Sequence, residues 1–433
     1  MAKLSTEAYK GVRDFYPEDE AVQKYIFNTW RSVVEKYGYQ EYNASILEPA
    51  ELYSAKTNEE HVNEQTYTFT DRGDRQVTLR PEMTPTVARM VAARRRELSF
   101  PLRWYSIPNV FRYERPQRGR LREHWQLNAD IFGVSDVMAE AEVITLSYRI
   151  LEAFGATAKD FQIRIGAREM YHTLLTDHLS LSDEERRDVL RTIDKKAKIS
   201  DADFTKELET VLGKDTSFVR EILSIGTISD LEEKLKQRNI EAPWTANIRI
   251  LIETLARIGI TNVLFDPSLV RGFDYYTGTI FEVFDTHPEN TRSLFGGGRY
   301  DKLLEMFGGE SIPAVGFGMG DVTMRDFLAV RNLLPKISHP ARVYICPVDA
   351  SHRDDAIIFA ETLRHEGVAV AVHLTNKKIG DQIKIAEKQG IPYLICIGVE
   401  EITGGRFIVK HLPTSTETTL PENAVAAFVL KDL

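Results

Sequence analysis

The sequence predicts an α+β fold with a second, smaller α/β domain, and the order of short runs along the chain is the main reason. Before about residue 335, many short β-type runs are mixed with scattered helical segments, which is typical of an antiparallel sheet in an α+β domain. From residue 340 to residue 433, apolar strand-like runs alternate with helical ones, which predicts a largely parallel sheet. We therefore expect domains at 1–335 and 340–433, joined by the linker KISHPA.

The first domain opens with a turn-rich segment and a helix. The run AVQKYIFNTWRSVVEKYG has apolar residues at helical spacing and closes on Gly38. The strand-like run QEYNASILEP follows, and then the short β-type runs TYTFTD, RQVTLRP, RWYSIPNVFRYE and HWQLNADIFG. The helical run AEAEVITLSYRILEAFG comes next, and FQIRIG returns to a strand. These short runs are the strands of the predicted antiparallel sheet.

A purely helical pattern from about residue 173 to about residue 246 interrupts the strands. It has acidic and basic faces and no strand signal, so we expect an inserted helical module. Strands resume with TNVLFD, TGTIFEVF and the glycine-rich run AVGFGMG at 314–320. Glycines on a strand indicate that something approaches the backbone closely. The helix after this run is predicted to begin with Asp321 as its N-cap.

The second domain is predicted to contain the strands RVYICPV, VAVAVHL, YLICIGV and GGRFIVKHL. The helices HRDDAIIFAETLRHEG and GDQIKIAEKQG lie between strands, and PENAVAAFVLKDL closes the chain. Cys346 and Cys396 each sit in an apolar run, which favours buried reduced thiols over a disulfide or a metal site. No cluster of Cys and His has metal-ligand spacing, so we expect no zinc and no metal held by protein side chains.

The composition is that of an ordinary soluble globular protein, with 43% hydrophobic and 27% charged residues among 433. The N-terminal run MAKLSTEAYKGVRDF lacks the apolar core of a secretory signal, and no apolar run is long enough to span a bilayer. We therefore expect a cytoplasmic protein with no membrane partner. The net charge of −9 excludes a general nucleic-acid coat, so a polyanion would have to meet local basic patches.

Two arginine-rich runs could form such a patch. The first, ARRREL, contains Arg94, Arg95 and Arg96 and is typical of a solvated helix face. The second, FRYERPQRGRLREHW, lies between two strand-like segments and crowds five arginines around one loop: Arg112, Arg115, Arg118, Arg120 and Arg122. A solvated face explains the second run less well, because the strands on either side hold the loop in place.

The run EHWQLNADIFG has two chemically different faces if it is a strand. Alternation places polar residues on one face, His124, Gln126, Asn128 and Asp130, and apolar residues on the other, Trp125, Leu127, Ala129 and Ile131. Alone, this pattern would suit a solvent-facing edge strand. FRYERP, however, puts Arg112 and Glu114 on a common face just upstream. Two neighbouring strands joined by a basic loop would suit a site for an amino acid and a nucleotide.

The segment LVRGFDYYTGTIFEV brings four further candidates close together: Arg271, Asp274, Tyr275 and Tyr276. A cation–π cluster of purely structural value would also fit them. FGGGRYDKL places three glycines before Arg299 and Tyr300, which is a weak phosphate-loop signal, and LRPEMTP offers Glu82 and Thr84 after a strand. The P-loop pattern GxxxxGK[ST] and a Rossmann GxGxxG are both absent, so any ATP site belongs to another kind of fold.

These runs resemble those of the histidyl-tRNA synthetase family of class II aminoacyl-tRNA synthetases. FRYERPQRGRLREHWQLNADIFG is similar to motif 2, which alone would specify only the class. VRGFDYYTGTIFE and GGGRYDKL resemble the two signature motifs of the family, and RGFDYY is specific to it. LRPEMT, AVGFGMG and the C-terminal domain follow in the family's order, so the resemblance covers essentially the whole chain.

The resemblance implies a class II catalytic domain with a helical insertion, a C-terminal anticodon-binding domain, and a homodimer whose contact involves the first helix and strand. Histidine would be activated by ATP to histidyl-adenylate, with Mg²⁺ carried by the nucleotide, and then transferred to the 3′ end of tRNA(His). The C-terminal domain would read the anticodon, because unpaired loop bases are what proteins can read in RNA.

The resemblance also implies roles for individual residues. The catalytic residues would be Arg112 and Arg271, which stabilise charge on the α-phosphate. The ATP-binding residues would be Arg112, Glu114, Arg120 and His124. The histidine-binding residues would be Glu82, Thr84, Arg112, Gln126, Asp130, Arg271, Tyr275, Tyr276 and Tyr300. The loop from Gln117 to Arg122 would approach the acceptor end of the tRNA.

Four positions depart from the family's usual pattern. Asp130 stands where the family often has Glu, which keeps the charge but shortens the side chain by a methylene. His124 stands where class II enzymes usually have a Phe that stacks on adenine, and Ser45 lies where motif 1 usually has its proline. Thr323 stands where motif 3 places an Arg that covers the other face of adenine.

Arg325 lies two residues beyond that position, which turns its side chain by about 200° on a helix. We expect it to pair with Asp321 on the surface rather than to replace the missing arginine. Two alternatives to an active enzyme stay open: a regulatory paralogue like the ATP phosphoribosyltransferase regulatory subunit, and a non-catalytic tRNA-sensing module. The segment RGFDYYTG and the C-terminal domain argue against the first, and the change at Thr323 is the only support for the second.

Overall fold

The computed structural model describes residues 4–54, 65–196, 199–213, 216–270, 275–290 and 292–431. It divides the chain into two compact units, Met1–Pro335 and Lys336–Leu433. Among the described residues, no helix is both long and apolar enough to cross a membrane. The same part of the chain contains no group of three or more His, Cys, Asp or Glu side chains placed to hold a metal ion.

The first unit is built on a large sheet and a small one. Its described strands are β1 (Gln40–Glu41), β2 (Leu47–Pro49), β3 (Tyr67–Thr70), β4 (Gln76–Leu79), β5 (Leu102–Ser106), β6 (Asn109–Phe111), β7 (Glu123–Phe132), β8 (Phe161–Ala167), β9 (Val263–Phe265), β10 (Thr279–Asp285), β11 (Ser293–Arg299) and β12 (Ala314–Gly320). The large sheet has the order β1-β5-β7-β12-β11-β10-β8-β9, with β6 paired to β7, and the small sheet has the order β2-β4-β3. Only the pairs β1–β5 and β8–β9 are parallel among these described strands, so the predicted antiparallel sheet is confirmed.

Helices of the first unit flank the sheet and form the insertion. They are α1 (Pro17–Val34), α2 (Glu51–Ser54), α3 (Thr84–Arg94), α4 (Met138–Ala153), α5 (Arg168–Tyr171), α6 (Asp183–Lys195), α7 (Asp201–Leu212), α8 (Thr216–Leu223), α9 (Ile228–Gln237), α10 (Trp244–Arg257) and α11 (Asp321–Val330), with a π-helical turn at His172–His178 and 3₁₀ turns at Glu35–Tyr37 and Leu303–Phe307. In the insertion, α6, α7 and α9 begin after Ser182, Ser200 and Thr227, whose side chains accept a backbone N–H of the first turn. The helical pattern continues to Arg257, beyond the expected end near residue 246.

One face of the large sheet is buried under α1 and α4. Side chains of β7 and β12 on this face, including Leu127, Ala129 and Phe317, join Trp30 and Ile144 in one apolar cluster. Burying a large apolar side chain contributes about 1.5–3 kcal/mol, so the hydrophobic effect determines which way these strands face. The other face of the same strands is thereby left for polar residues.

The second unit has a five-stranded sheet among its described residues. Its strands are β13 (Val343–Pro347), β14 (Val370–Val372), β15 (Tyr393–Ile397), β16 (Arg406–His411) and β17 (Thr416–Pro421), and its helices are α12 (Arg353–His365), α13 (Ile379–Gln389), α14 (Val399–Gly404) and α15 (Glu422–Val429), with a 3₁₀ turn at Ala350–His352. The order is β14-β13-β15-β16-β17, in which the first two pairings are parallel and the last two antiparallel. The expectation of a largely parallel sheet is therefore wrong for its second half, because β16 and β17 form a hairpin.

The two cysteines lie opposite each other on β13 and β15. Cys346 and Cys396 are register partners in this parallel pair, and neither forms a disulfide. Cys346 is fully buried and Cys396 is half-buried. The expectation of a buried thiol therefore holds for Cys346, whereas Cys396 is less buried than expected.

Asp321 has a different role from the predicted one. Gly320 is the N-cap of α11, and the Asp321 side chain caps nothing, so that prediction is wrong. The Asp321 carboxylate is fully buried and accepts hydrogen bonds from the side chains of Arg13 (2.7 Å) and Gln23 (2.9 Å) and from the backbone N–H of Trp125 (2.9 Å). Partners distant in sequence have replaced the local cap.

Arg325 also has a different partner from the predicted one. Because Asp321 is turned inward to Arg13, the predicted Asp321–Arg325 pair is wrong. Arg325 instead pairs with Asp19 in the first turn of α1, and about a third of each of these side chains is exposed (32% and 39%). The interaction is a surface ion pair, as expected, but it joins two helices rather than two turns of one helix.

We expect Asp321→Ala to lower the free energy of unfolding of the first unit by about 3 kcal/mol, because it leaves the buried donors around it without an acceptor. Urea denaturation followed by tryptophan fluorescence reports on this unit, since all four tryptophans lie in it. The matched control is Asp19→Ala, which removes an exposed pair and should change the free energy by less than about 0.5 kcal/mol. Equal small losses in both variants would contradict the proposed role of Asp321.

Candidate active site

A pocket lies on the open face of the large sheet. Its lining residues are Glu82, Thr84, Arg112, Gln126, Asn128, Asp130, Tyr275, Tyr276, Tyr300 and Phe317, together with Gly296, Gly316 and Gly318. Eight of these were expected at a histidine site from the sequence: Glu82, Thr84, Arg112, Gln126, Asp130, Tyr275, Tyr276 and Tyr300. The structure therefore brings together residues from segments far apart in the chain.

Glycines form the floor of this pocket because the side chains of β7 need the space above them. Gly316 is the register partner of Asp130, and Gly318 is the partner of Asn128. A Cβ at Gly316 would overlap the Asp130 carboxylate, and a Cβ at Gly318 would overlap the amide of Gln126. The sequence predicted that something approaches the glycine-rich strand closely. Part of this close approach is made by the protein's own side chains, Asp130 and Gln126.

The closed end of the pocket is formed by Asp130, Tyr300 and Tyr276. Tyr300 Oη donates a hydrogen bond of 2.5 Å to Asp130 Oδ1. Asp130 Oδ2 is buried and has no hydrogen-bond partner among the described residues. Burial raises the pKa of Asp130 to about 7, although the hydrogen bond from Tyr300 opposes that rise. This end can therefore accept a hydrogen bond from a ligand.

A second buried carboxylate, that of Glu82, also lines the pocket. Glu82 precedes α3, which begins at Thr84, and Tyr275 Oη donates a hydrogen bond of 3.0 Å to Glu82 Oε2. Burial raises the pKa of Glu82 to about 7, and the charge of Arg112 and the hydrogen bond from Tyr275 oppose this. A cationic group bound beside Glu82 would stabilise its ionised form.

Arg112 links this pocket to the arginine-rich loop. Its Nε donates a hydrogen bond of 2.9 Å to the carbonyl of Pro81, which fixes the guanidinium beside the pocket. The strand β6 ends at Phe111, so the prediction that Arg112 and Glu114 share one strand face is wrong. The backbone leaves the sheet here because the N–H of Tyr113 donates to the carbonyl of Gln65 instead.

The arginine-rich loop forms a hairpin beyond the pocket. Gln117 and Arg120 pair across its tip, and Arg120 Nη1 lies 3.2 Å from Glu114 Oε2. At the base, the Arg122 guanidinium lies 4.1 Å from the ring centroid of Tyr113, and its Nε donates to the carbonyl of Glu114 (3.2 Å). Gln117 and Arg120 are exposed, whereas Arg122 is held at the base of the loop.

His124 lies between this hairpin and the glycine floor. Burial and the charges of Arg112 and Arg13 lower its pKa to about 3, so the ring is neutral at ordinary pH. Its Cδ2 would lie 3.9 Å from a Cβ on Gly320, which places the ring beside the end of β12. A neutral aromatic ring in this place can stack on a base.

Arg271 and Asp274 fall in residues 271–274, outside the described residues. Arg299 turns away from the pocket to a buried ion pair with Glu140 (Nη2–Oε2 2.5 Å), which holds α4 against the sheet. Asn128 and Gly296 line the pocket but were not among the predicted site residues. Asn128 had been placed on the polar face of β7 by the alternation of residues, whereas no local sequence pattern indicated that Gly296 would line the pocket.

The buried Asp130 should make the free protein less stable as pH rises. A group whose folded-state pKa (about 7) exceeds its ordinary value stabilises the folded state while protonated, and this stabilisation is lost as pH rises through 7. The side chain of the Asp130→Asn variant has no proton to lose in this range. Between pH 5 and pH 8 the free energy of unfolding of the unmodified protein should therefore fall by about 2–3 kcal/mol more than that of the variant. Urea denaturation of both proteins without ligand at the two pH values measures this difference. Parallel pH dependences in the two proteins would contradict it.

Known proteins share both the sequence and the fold of this chain. The family model "Histidyl-tRNA synthetase" matches residues 11–321, and the model "Anticodon binding domain" matches residues 342–432. The histidine–tRNA ligase of Leptospira biflexa serovar Patoc (strain Patoc 1 / Ames) is 44% identical over 420 residues, which are 96% of this chain and 95% of that protein.

Two solved structures are similar over most of the chain. The histidyl-tRNA synthetase of Nostoc sp. PCC 7120 has a TM-score of 0.81 and 24% identity, with 100% of each chain covered, and this likeness concerns the fold alone. A Bacillus halodurans C protein described as an ATP phosphoribosyltransferase regulatory subunit/histidyl-tRNA synthetase has a TM-score of 0.73 and 25% identity, with 89% of this chain and 97% of that chain covered.

The family match extends over most of the chain, and the bacterial relative is similar over nearly its full length. The pocket residues come from the same segments that carry the sequence resemblance. On this evidence the chain belongs to the histidyl-tRNA synthetase family.

Proposed function

We propose that the pocket forms histidyl-adenylate from histidine and ATP, as the first half of the histidine–tRNA ligase activity that belongs to this family. The observation that carries the proposal is the closed end of the pocket. There, a buried oxygen of Asp130 has no partner among the described residues and faces a space lined by tyrosines. A buried acceptor without a partner is unfavourable unless a ligand supplies the donor.

The substrate imidazole would supply that donor. A neutral imidazole has one N–H donor and one acceptor nitrogen. Asp130 accepts a hydrogen bond from the N–H, and the Tyr276 hydroxyl donates a hydrogen bond to the other nitrogen. Tyr300 holds the Asp130 carboxylate in place through its 2.5 Å hydrogen bond. A site of this kind rejects apolar side chains, because they would leave its buried polar groups unpaired.

The rest of the amino acid would lie toward the open end of the pocket. Glu82 attracts the α-ammonium group, with Thr84 and Gln126 as further hydrogen-bond partners, while Tyr275 orients Glu82. Arg112 holds the α-carboxylate, since its guanidinium is fixed beside the pocket by the carbonyl of Pro81.

ATP would lie over the glycine floor toward His124. Glu114 accepts from the adenine amino group, and the His124 ring stacks on one face of the base. Arg120 meets the outer phosphates, which bring Mg²⁺ with them because this ion is bound mainly by substrate phosphates. About half of the Arg120 side chain is exposed (53%), which leaves it room to move from Glu114 to a phosphate.

The chemistry is an in-line displacement at the α-phosphorus. An oxygen of the histidine carboxylate bonds to this phosphorus, the bond to the bridging oxygen breaks, and pyrophosphate leaves with the electron pair. Negative charge grows on the phosphate oxygens, and the guanidinium groups of Arg112 and Arg271 stabilise it from two sides. In the second half-reaction a hydroxyl at the 3′ end of tRNA(His) bonds to the carbonyl carbon of histidyl-adenylate, the bond from that carbon to the phosphate oxygen breaks, and AMP leaves with the electron pair.

We also infer the partners of the chain. The hairpin from Gln117 to Arg122 would contact the acceptor end of the tRNA, and the unit that contains residues 342–432 would read the anticodon. A cytoplasmic homodimer is proposed, supported by Leu47 and Phe69, which are exposed on one face of the small sheet. An exposed apolar pair of this kind suits burial against a second copy.

Histidine-dependent exchange between ATP and labelled pyrophosphate tests the adenylation proposal. We expect exchange with the unmodified protein, and a rate at least ~10²-fold lower for Arg271→Ala, which is the scale for losing a fixed charge stabiliser. Arg94→Ala removes an exposed arginine of the other basic run and should leave the rate within about twofold. Absence of exchange in the unmodified protein would instead support the non-catalytic alternatives.

Asp130 variants test the recognition of histidine in the same assay. Asp130→Asn keeps the shape but weakens the acceptor, so we expect kcat/KM for histidine to fall by about 100-fold or more while KM for ATP stays within about threefold. Asp130→Glu restores the family's more frequent acid and should retain more activity than Asp130→Asn. An equal loss for histidine and ATP would show that Asp130 supports the fold rather than the imidazole.

A further inference from the structure

The first turn of α11 follows Gly320, which lies beside both His124 and Thr323 at the end of the glycine floor. This turn, Asp-Val-Thr-Met, contains no cation. Thr323 Oγ1 donates hydrogen bonds to the carbonyls of Leu294 (2.7 Å) and Gly320 (3.1 Å), so its hydroxyl is engaged by the backbone. Arg325 is directed to Asp19 on α1. The helix itself therefore offers no guanidinium to a nucleotide that lies against it.

The hairpin tip occupies the space above this turn. A Cβ on Gly119 would lie 3.7 Å from Cγ2 of Thr323, so the tip packs against the short threonine side chain. Gly119 has φ +76°, the left-handed conformation that a tight turn requires. Gln117 Oε1 accepts a hydrogen bond of 3.0 Å from Arg292, which ties the tip to the start of β11.

The hairpin tip also contains Arg118, a cation that directly precedes Gly119. Its Nη2 lies 3.6 Å from Glu289 Oε2 in the connection between β10 and β11. Its charge also reaches Asp326, one helical turn after Thr323, where burial raises the pKa of the acid and the charges of Arg118, Arg325 and Arg13 oppose the rise. Arg118 thus lies beside the turn of α11 that carries Thr323.

We propose that Arg118 covers the face of the ATP adenine opposite to His124. A guanidinium is planar, weakly hydrated and able to stack on an aromatic ring while its edge stays paired with carboxylates. Glu289 and Asp326 are acidic neighbours of Arg118, so part of its charge is already paired when the neutral base arrives. The inference rests on the proposed ATP site and adds a base-binding residue to it.

The short side chain at position 323 is part of the same arrangement. Gly119 lies beside Thr323, so a side chain at position 323 starts next to the hairpin tip that carries Arg118. An arginine at position 323 and the arginine at position 118 would thus reach the same space from opposite sides. They should be interchangeable: either one can cover the base.

The test is histidine-dependent ATP–pyrophosphate exchange with the full chain. Arg118→Ala should raise KM for ATP by about tenfold, the scale of one stacked cation, and leave KM for histidine within about twofold. The double variant Arg118→Ala/Thr323→Arg should return KM for ATP to within about threefold of the unmodified value. The matched control, Arg325→Ala, removes an arginine of α11 that faces away and should leave KM for ATP within about twofold.

Two further measurements separate stacking from other roles of Arg118. Inhibition by inorganic tripolyphosphate, which has no base, should be unchanged in Arg118→Ala. Glu289→Ala removes the partner but keeps the cation, so it should raise KM for ATP by less than about threefold. The proposal is overturned if Arg118→Ala leaves KM for ATP unchanged, if Glu289→Ala matches its defect, if tripolyphosphate inhibition weakens equally, or if the double variant does not recover. In each of these cases the unmodified protein still exchanges, whereas failure of the adenylation proposal abolishes exchange in it.

Discussion

The close approach of side chains to the backbone of β11 and β12 is the constraint on which the rest of the structure depends. The two faces of these central strands have opposite requirements. One face must carry large apolar side chains such as Phe317 to bury the sheet under α1 and α4. The other must be bare where Asp130 and Gln126 lie across it, which Gly316 and Gly318 achieve. Alternation along one strand meets both requirements at once, so core and pocket are specified by the same few residues.

Buried carboxylates show how stability and function are divided on this sheet. Asp321 is surrounded by donors that belong to the protein, and it ties the N-terminal segment to β7 and α11. Asp130 is just as inaccessible, but one of its oxygens is left without a partner among the described residues. A fully satisfied buried charge holds elements together, whereas an incompletely satisfied one destabilises the free protein and is completed by a ligand. Burial alone would not distinguish the two roles, but the number of donors around each carboxylate does.

Sequence patterns predicted those parts of the structure in which local rules and tertiary packing agree. The alternation from His124 to Ile131 assigned both faces of β7, because one face had an apolar core to join. Asp321 was misassigned because capping rules consider only the following turn, and Arg13 and Gln23 offered stronger contacts from another segment. The antiparallel direction of β16 and β17 was not predicted, because the residues of a strand do not show whether a hairpin or a crossover connects it to its neighbour. Gly296 was overlooked for a similar reason: its neighbours across the sheet give it its place in the pocket.

The site also divides into a rigid part and an exposed part. The groups proposed for histidine lie on strands or beside them, and several are fixed by buried hydrogen bonds such as Tyr300–Asp130 and Tyr275–Glu82. The exposed hairpin carries Arg118, proposed for the adenine base, and Arg120, proposed for the phosphates, and both are held by surface pairs worth little in stability. Preorganisation gives selectivity, and weakly held groups can change partner. The amino acid pocket is therefore held by buried hydrogen bonds in the free protein, whereas the proposed contact of Arg120 with a phosphate requires its guanidinium to leave Glu114.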